Sequence, residues 1–153
     1  MSVYEKIIQL LENNKIQYQA LEHEPTPTCE DSARVRGTSM DQGAKALICF
    51  GDKKPILIIL PCSHKLNVKV FKSLFGVKDL RFATPQEVEN LTGLQIGAIP
   101  PFGHLFDIPT YVEQNLGINK VIAFNAGDSR RSVIMSYLDY MAICGGIIGQ
   151  YAT

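Results

Sequence analysis

The sequence predicts a single α+β domain built on a mixed, largely antiparallel sheet. Short apolar runs of strand length alternate irregularly with segments of helical periodicity, and glycine or proline separates most of them. With 153 residues, the chain is long enough for one domain with a substantial core and too short for two ordinary domains. We expect residues 1–144 to form this domain and the glycine-rich residues 145–153 to form a flexible tail.

The composition is that of a globular protein without net charge. Hydrophobic residues make up 46% of the chain, and 15 Lys and Arg balance 15 Asp and Glu. Any binding of nucleic acid must therefore come from a local basic patch. No segment approaches the roughly 18 consecutive apolar residues of a membrane helix, and no signal peptide is visible. Cys49 and Cys144 lie in apolar runs and no C-x-x-C pair occurs, so we expect a reducing, cytoplasmic location. From the neutral charge and the lack of a long apolar segment, we expect neither a membrane nor DNA as a partner.

The first half of the chain contains clear signals for where helices begin and end. Ser2 and Glu5 have the spacing of a capping box, and Thr28 is placed to cap a second helix that ends at Gly37. Between the two helices, the prolines of residues 23–28 disfavour helix and predict an extended connection. The predicted elements are a helix over 3–13, a strand over 16–21, a helix over 29–36, and hairpin strands over 44–50 and 55–60.

The second half predicts further short helices and strands. Thr84-Pro85 followed by Glu87 is a helix start signal, and Gly93 ends that helix. Ser136 is placed to cap the last helix. The predicted elements are a helix over 66–75, a strand over 80–82, a helix over 85–92, a strand over 105–108, a helical turn over 111–116, strands over 120–124 and 132–135, and a helix over 137–144.

Lys45, at the head of an apolar strand, is the first candidate for function. A strand rich in large apolar residues is normally buried, so a cation that enters it must lie at a rim or cleft. There, water or an anionic ligand solvates the ammonium group. The alternative is a lysine that extends its ammonium from the strand end into bulk water.

The loop Gly97-Ala98-Ile99-Pro100-Pro101 is the second candidate. Glycine lets the backbone approach a ligand closely, and the two prolines fix the path of the chain. The remaining N–H groups of Ala98, Ile99 and Phe102 then point in fixed directions, which suits the binding of an oxyanion or a ribose. The prolines lack an N–H and cannot be donors. The alternative is a rigid turn that joins two strands.

Other common active sites have little support in this sequence. It contains no G-x-S-x-G, P-loop or H-E-x-x-H motif, and its three histidines are dispersed. We therefore expect neither a metal nor a cofactor. His23, beside prolines, either lines a pocket or lies on the surface. Cys62, in Leu60-Pro61-Cys62-Ser63-His64, could be a thiol nucleophile with an adjacent base. Residues adjacent in sequence on an extended segment point to opposite faces, which argues against it.

Several motifs follow one another along the chain: Tyr18 to His23, Gln42 to Leu47, Thr84 to Val88 with Thr92-Gly93, Gly97 to Gly103, and Phe124 to Asp128. Their order resembles the YbaK/ProX family of aminoacyl-tRNA editing domains. The resemblance covers about residues 4–141 and implies a free-standing relative of the editing domain inserted in bacterial prolyl-tRNA synthetases. It implies a convoluted mixed sheet flanked by helices, and hydrolysis of the ester between a wrong amino acid and the tRNA end.

The resemblance also implies roles for individual residues. Lys45 matches the family lysine that contacts the substrate, and the Gly97 loop matches the loop that holds the terminal adenosine and the aminoacyl group. Asn125 stands where related proteins often have serine or histidine, which leaves the preferred amino acid open. The expected site comprises Lys45 as the catalytic residue, with substrate-binding His23, Thr28, Gly97, Ala98, Ile99, Pro101, Asn125 and Gly127.

A mechanism without a protein nucleophile is reasonable for this reaction, because an aminoacyl ester is already activated. The protein would orient the ester and stabilise the charge that develops on its carbonyl oxygen, while water or a group of the substrate attacks. The expected partners are a mischarged aminoacyl-tRNA and an aminoacyl-tRNA synthetase. Lys65, Lys69 and Lys72 form the densest basic cluster, which either contacts tRNA or is an ordinary solvated helix face. The alternative function is a non-catalytic module that binds an adenosine-like or aminoacyl-tRNA 3′ end.

Overall fold

Two β-sheets and five short α-helices make up the structure, a computed structural model that describes all 153 residues. The helices are α1 (Val3–Asn13), α2 (Cys29–Arg36), α3 (Val68–Phe75), α4 (Pro85–Thr92) and α5 (Tyr137–Cys144). The strands are β1 (Tyr18–Glu22), β2 (Ala44–Gly51), β3 (Lys54–Pro61), β4 (Leu80–Phe82), β5 (Thr110–Glu113), β6 (Val121–Asn125), β7 (Arg131–Ser136) and β8 (Ile147–Gly149).

The two sheets differ in size and in strand direction. The smaller sheet has the order β1-β7-β6 and is antiparallel throughout. The larger sheet has the order β4-β2-β3-β5-β8, with antiparallel pairing from β4 to β3 and parallel pairing from β3 to β8. A parallel bridge between Gly43 and Ala123 connects the start of β2 with β6 of the other sheet. The mixed, largely antiparallel α+β class predicted from the sequence is confirmed.

Most predicted ends of helices are also confirmed. The capping boxes at Ser2 and Thr84 are both formed. The Thr28 hydroxyl accepts a hydrogen bond from the Asp31 N–H, and Gly37 ends α2 in the left-handed conformation at φ 71°. Helix α3 begins two residues later than predicted, because the side chain of Asn67 caps it.

The sequence assignment was wrong between residues 103 and 113. Residues 103–106 form a 3₁₀-helix where a strand over 105–108 was expected, and β5 occupies the first part of the expected helical turn over 111–116. The second part of that turn is confirmed, since Gln114–Ile118 is a 3₁₀-helix. Two hydrogen bonds close the preceding loop: the Gly103 N–H donates to Thr110 Oγ1 at 2.9 Å, and the Ile108 N–H donates to the Gly103 carbonyl at 3.1 Å. Strand β5 pairs in parallel with β3, more than 50 residues earlier in the chain, and local periodicity cannot reveal such a partner.

The expected flexible tail is also wrong, since residues 145–153 are part of the fold. Strand β8 pairs with β5, and the Tyr151 ring is buried against Phe71 in a second, smaller core. The Tyr151 hydroxyl donates to the Ile59 carbonyl at 2.6 Å. Backbone hydrogen bonds join Thr153 and Lys65 in both directions. The folded domain therefore extends to the last residue.

The larger core lies between the two sheets and helices α1 and α5, and it supports the loops that build the site. Ile7 and Leu11 of α1 are fully buried in it, and Phe102 packs edge-on against Phe124 and Tyr140. No helix has the length and apolarity needed to cross a membrane. No three His, Cys, Asp or Glu side chains come together as metal ligands would.

Candidate functional site

A partly enclosed cavity of about 200 Å³ lies where α2, the start of β2, the Gly97 loop and the end of β6 meet. The predicted residues that line it are Thr28, Lys45, Gly97, Ile99 and Asn125. These residues come from four separate parts of the chain, and the fold brings them together. No acidic residue lines the cavity, so its electrostatic character is set by cations and backbone groups.

Lys45 is half-buried at the wall of this cavity. Its Nζ donates to the His64 carbonyl at 2.7 Å and has no carboxylate partner. Burial lowers the pKa of Lys45, and the nearby charge of Lys65 lowers it further. An ammonium group in this setting is short of anionic partners, so it favours a substrate that brings negative charge.

The Gly97 loop offers fewer free amides than the sequence indicated. The Ala98 N–H donates to the Gln95 carbonyl at 3.1 Å, and the Phe102 N–H donates to the Pro100 carbonyl at 2.9 Å. The Ile99 N–H makes no hydrogen bond within the protein, although Ile99 is only 5% exposed. A buried amide without a partner is rare. Of the three donors expected from the sequence, the Ile99 N–H is the one that remains available to a ligand.

Gly97 and Pro101 contribute to the loop in different ways. Gly97 has φ 93°, a conformation that side-chain-bearing residues rarely adopt. Pro101 is buried, and its carbonyl accepts a hydrogen bond from the Tyr140 hydroxyl at 2.7 Å. Pro101 lies outside the cavity, and through this hydrogen bond it supports the loop.

A second, more open groove of about 570 Å³ adjoins the cavity along the same loop. Ala98 and Gly127, both predicted site residues, line this groove. Gly97 and Ile96 line both spaces, and Ile96 is 59% exposed. Gly127 has φ 82°, and a Cβ atom there would meet Val3 Cγ1 at 2.9 Å. Glycine at this position is therefore needed for packing as well as for the shape of the groove.

Neither His23 nor Thr28 offers a free polar group to the cavity. His23 lies outside both spaces, and its Nε2 contacts Ser132 Oγ at 2.8 Å. The Thr28 hydroxyl accepts from the Asp31 N–H and donates to Asp31 Oδ2 at 2.8 Å, so the cap of α2 occupies it. Both residues support the walls of the site.

Arg36, at the end of α2, is a site residue that sequence analysis missed. Its Nε donates to Ser132 Oγ at 2.9 Å, and its Nη2 donates to Asn125 Oδ1 at 2.8 Å. Burial lowers the pKa of Arg36 to about 10, and no carboxylate pairs with it. Asn125 Nδ2 donates in turn to the Gly97 carbonyl at 2.5 Å. An arginine at the end of a polar helix is normally exposed to solvent, so nothing in the local sequence identified Arg36 as a site residue.

Thr26 is the second missed residue. It is 7% exposed and lines both the cavity and the groove, yet its Oγ1 has no hydrogen-bond partner. Buried hydroxyl groups are normally satisfied, and an exception calls for a specific reason. A bound ligand with a polar group would provide one.

The cavity wall also contains a disulfide, between Cys29 of α2 and Cys62 after β3. The cysteine spacing, which indicated a reducing environment, did not predict this bond. Cys49 and Cys144 are free and buried, as their apolar surroundings indicated, and burial raises the pKa of Cys49 to about 12. With its sulfur bonded to Cys29, Cys62 has no thiol that could serve as a nucleophile.

The three lysines of the predicted basic patch lie on or beside α3. Lys69 and Lys72 belong to the helix, Lys65 precedes it, and none of them forms an ion pair. The charge of Lys65 contributes to the lowered pKa of Lys45. None of the three lysines lines the cavity.

Comparison with known proteins agrees with this geometry. The chain is 34% identical over 145 residues to the Multifunctional Ser/Thr-tRNA deacylase ProXp-y of Escherichia coli K12, covering 92% of this chain and 87% of the relative. It is 28% identical over 145 residues to the Prolyl-tRNA editing protein ProX of Acetoanaerobium sticklandii, covering 91% and 88%.

The fold and the family are shown by two further matches. A crystal structure of a proposed trans-editing enzyme for prolyl-tRNA synthetase superposes with a TM-score of 0.85 at 25% identity, covering all of this chain and 98% of the other. Residues 23–143 match the family described as the aminoacyl-tRNA editing domain. This range includes every residue of the cavity wall, and the chain belongs to the aminoacyl-tRNA editing domain family.

Proposed function

We propose that the protein is a trans-editing deacylase that hydrolyses the ester bond of a mischarged aminoacyl-tRNA. The observation that carries this proposal is a cavity that combines a half-buried lysine, an unpartnered backbone amide and no acidic residue. These groups favour an electron-rich carbonyl and a phosphate. Membership of the editing family supplies the class of reaction.

The two adjoining spaces divide the substrate between them. The cavity of about 200 Å³ is smaller than the roughly 300–1,000 Å³ of pockets that hold drug-sized ligands, so it suits a small acyl group. The open groove of about 570 Å³ accommodates the terminal adenosine. The exposed Ile96 lies between them and offers an apolar surface to the base or ribose.

The reaction needs no nucleophile from the protein. The Ile99 N–H is the donor for the carbonyl oxygen, on which negative charge develops as water or a substrate hydroxyl attacks. Lys45 binds a substrate phosphate, and its position near the ester adds positive potential in a partly dehydrated site. The rigid Gly97 loop keeps the amide in place before the substrate arrives.

Seryl and threonyl esters are the first candidates for the substrate. The unpartnered Thr26 hydroxyl at the cavity wall can pair with a hydroxyl on the acyl side chain. One relative is named as a Ser/Thr-tRNA deacylase, which supports the same choice. A site that hydrogen-bonds a substrate hydroxyl rejects analogues without it much more strongly than an apolar pocket rejects a missing methylene group. Alanyl-tRNA is therefore the informative comparison.

The test measures deacylation of a panel of mischarged tRNAs by the wild type and by Lys45→Ala. We expect Lys45→Ala to lower kcat/KM by about a hundredfold, equivalent to about 2.7 kcal/mol, with an unchanged melting temperature. Lys54→Ala is the matched control, since Lys54 is exposed at the opposite end of the same hairpin. Equal turnover by Lys45→Ala and the wild type would remove Lys45 from the mechanism. Tight binding of a non-hydrolysable aminoacyl-adenosine without turnover of any ester would favour the non-catalytic binding module.

A further inference from the structure

Arg36 is a partly buried cation for which the protein provides no anion. It is the last residue of α2, it lines the cavity, and its two hydrogen-bond acceptors are both neutral side chains. The other arginine of the helix, Arg34, is 63% exposed and pairs with Glu24 and Asp31. Burying a charge without a partner is unfavourable. Its presence here calls for a role that a neutral or exposed residue would not fill.

The contacts of Arg36 form one continuous network of hydrogen bonds. Ser132 Oγ accepts from Arg36 Nε, and it also lies 2.8 Å from His23 Nε2 and 3.4 Å from Asn125 Oδ1. His23 is held on its other side by the contact of Nδ1 with the Glu24 carbonyl at 2.8 Å. Ser132 is fully buried, and it lies directly opposite Asn125 in the register of β6 and β7.

The guanidinium group determines which way the Asn125 amide faces. Arg36 has only donors, so the atom of Asn125 that meets it must be the acceptor Oδ1. The Nδ2 group then faces the Gly97 carbonyl and donates to it. In the reversed orientation an N–H would meet the guanidinium and an oxygen would meet the carbonyl, and both contacts would be repulsive.

We propose that Arg36 is a positioning residue for the editing reaction. By fixing the orientation of Asn125 it holds the Gly97 carbonyl, and so it sets the direction of the unpartnered Ile99 N–H two residues later. Lysine cannot replace it, because a single ammonium group cannot reproduce a fork that reaches Ser132 and Asn125 at once. This inference rests on the proposed function for its kinetic test, and it also has a test that does not depend on activity.

The kinetic test compares Arg36→Lys with Arg34→Lys. We expect Arg36→Lys to lower kcat by about thirtyfold and to change KM by less than about threefold, because the donor for the developing charge is misplaced while most substrate contacts remain. Arg34→Lys changes the same side chain on the same helix at an exposed position, and it should stay within about twofold of the wild type. A kcat for Arg36→Lys within twofold of the wild type would overturn the proposal.

Asn125→Asp separates positioning from general stability. A carboxylate at this position forms a charged pair with Arg36, which offsets the repulsion between its second oxygen and the Gly97 carbonyl, so the melting temperature should stay close to that of the wild type. A carboxylate cannot donate to the Gly97 carbonyl, so kcat should fall by about the same factor as in Arg36→Lys. In the Asn125→Ala background, Arg36→Lys should add less than about threefold. Losses that multiply fully would show that Arg36 acts independently of Asn125 and would overturn the proposal.

Nuclear magnetic resonance provides the measurement without substrate. In ¹⁵N-labelled Arg36→Lys, we expect the Asn125 side-chain amide and the Ile99 backbone amide to shift and to exchange faster with solvent, while Arg34→Lys leaves both unchanged. Identical spectra for these amides in Arg36→Lys and the wild type would overturn the proposal. If the wild type deacylates no tRNA of the panel, the proposed function fails, and these spectra still decide whether Arg36 positions the loop.

Discussion

The fully buried Glu113 and the partly buried Arg36 both lack an oppositely charged partner, and they differ in the groups that satisfy them. Glu113 is fully buried, and its carboxylate accepts from the backbone N–H groups of Asn115, Tyr151 and Ala152. Arg36 donates instead to two side chains and lines a cavity. Neither group takes part in an ion pair.

The partners of each charge indicate its role. Both carboxylate oxygens of Glu113 are occupied, and two of the three donors belong to the C-terminal segment that the sequence analysis expected to be flexible. Glu113 therefore holds this segment on β5, and its complete burial keeps it out of contact with a ligand. Arg36 keeps N–H groups beyond its two hydrogen bonds and holds side chains that shape the Gly97 loop. A buried charge satisfied by backbone indicates structure, whereas one satisfied by side chains beside a cavity indicates function.

The largest expected effect tests the structural side of this comparison. Glu113→Ala leaves three backbone donors without their acceptor, each worth about 1–3 kcal/mol. For a domain of this size 1 kcal/mol corresponds to roughly 2–4 °C, so we expect thermal unfolding to show a melting temperature lower by about 10 °C or more. At a temperature where the variant is folded, kcat/KM should stay within about twofold.

Glu113→Gln is the matched control for this experiment. It keeps one oxygen acceptor and should lose less stability than the alanine variant. A drop of under about 3 °C for Glu113→Ala would mean that the buried Tyr151 ring, rather than the carboxylate, holds the C-terminal segment. If Glu113→Ala lost activity while it was fully folded, Glu113 would have a functional role and the contrast with Arg36 would be wrong.

The two regions also differ in how far the sequence could predict them. Caps such as Ser2, Thr84 and Gly37 were predicted correctly, because each acts on residues within four positions. The pairing of β8 with β5 joins segments more than 30 residues apart. The glycines before β8 and at its last position led to the prediction of a flexible segment, and nothing nearby in the chain identified the partner strand.

The site shows the same limit. Lys45 and the Gly97 loop were found because their own segments carry an unusual residue pattern, and the fold does bring them to one cavity. Arg36 and Thr26 could not be found, because what distinguishes them is burial and missing partners, which only the tertiary structure creates. Asn125 was predicted as a residue, but its role between Arg36 and Gly97 was not.

An intermediate effect is expected at Lys65, which links the two regions. Its backbone pairs with Thr153 of the C-terminal segment, and its charge acts on Lys45 at the cavity. We expect the combined replacement of Lys65, Lys69 and Lys72 by glutamine to reduce the slope of log affinity for tRNA against log salt by roughly 2 to 3. Hydrolysis of a minimal aminoacyl-adenosine should stay near the wild-type rate, since this small substrate does not extend to α3.

The control for the lysine experiment removes the same charge elsewhere. Lys6, Lys15 and Lys120 are exposed and lie outside α3, so their triple replacement by glutamine should leave the salt slope almost unchanged. Equal slopes for the α3 variant and the wild type would show that tRNA docks on another surface. Equal reductions in both triple variants would show a diffuse effect of net charge rather than a patch.

The smallest effect is expected at the disulfide, which joins the first residue of α2 to the end of β3, while Arg36 lies at the other end of that helix. Cys62→Ser should retain kcat/KM within about threefold, because no step uses its sulfur and Arg36 is held by its own hydrogen bonds. Cys29→Ser and the reduced wild type lack the same bond and should match it. Loss of activity in Cys62→Ser alone would identify Cys62 as a nucleophile. A common loss in all three would show that the hydrogen bonds of Arg36 need the disulfide to hold α2 in place. The site would then not be maintained by side-chain contacts alone, and the contrast with Glu113 would fail.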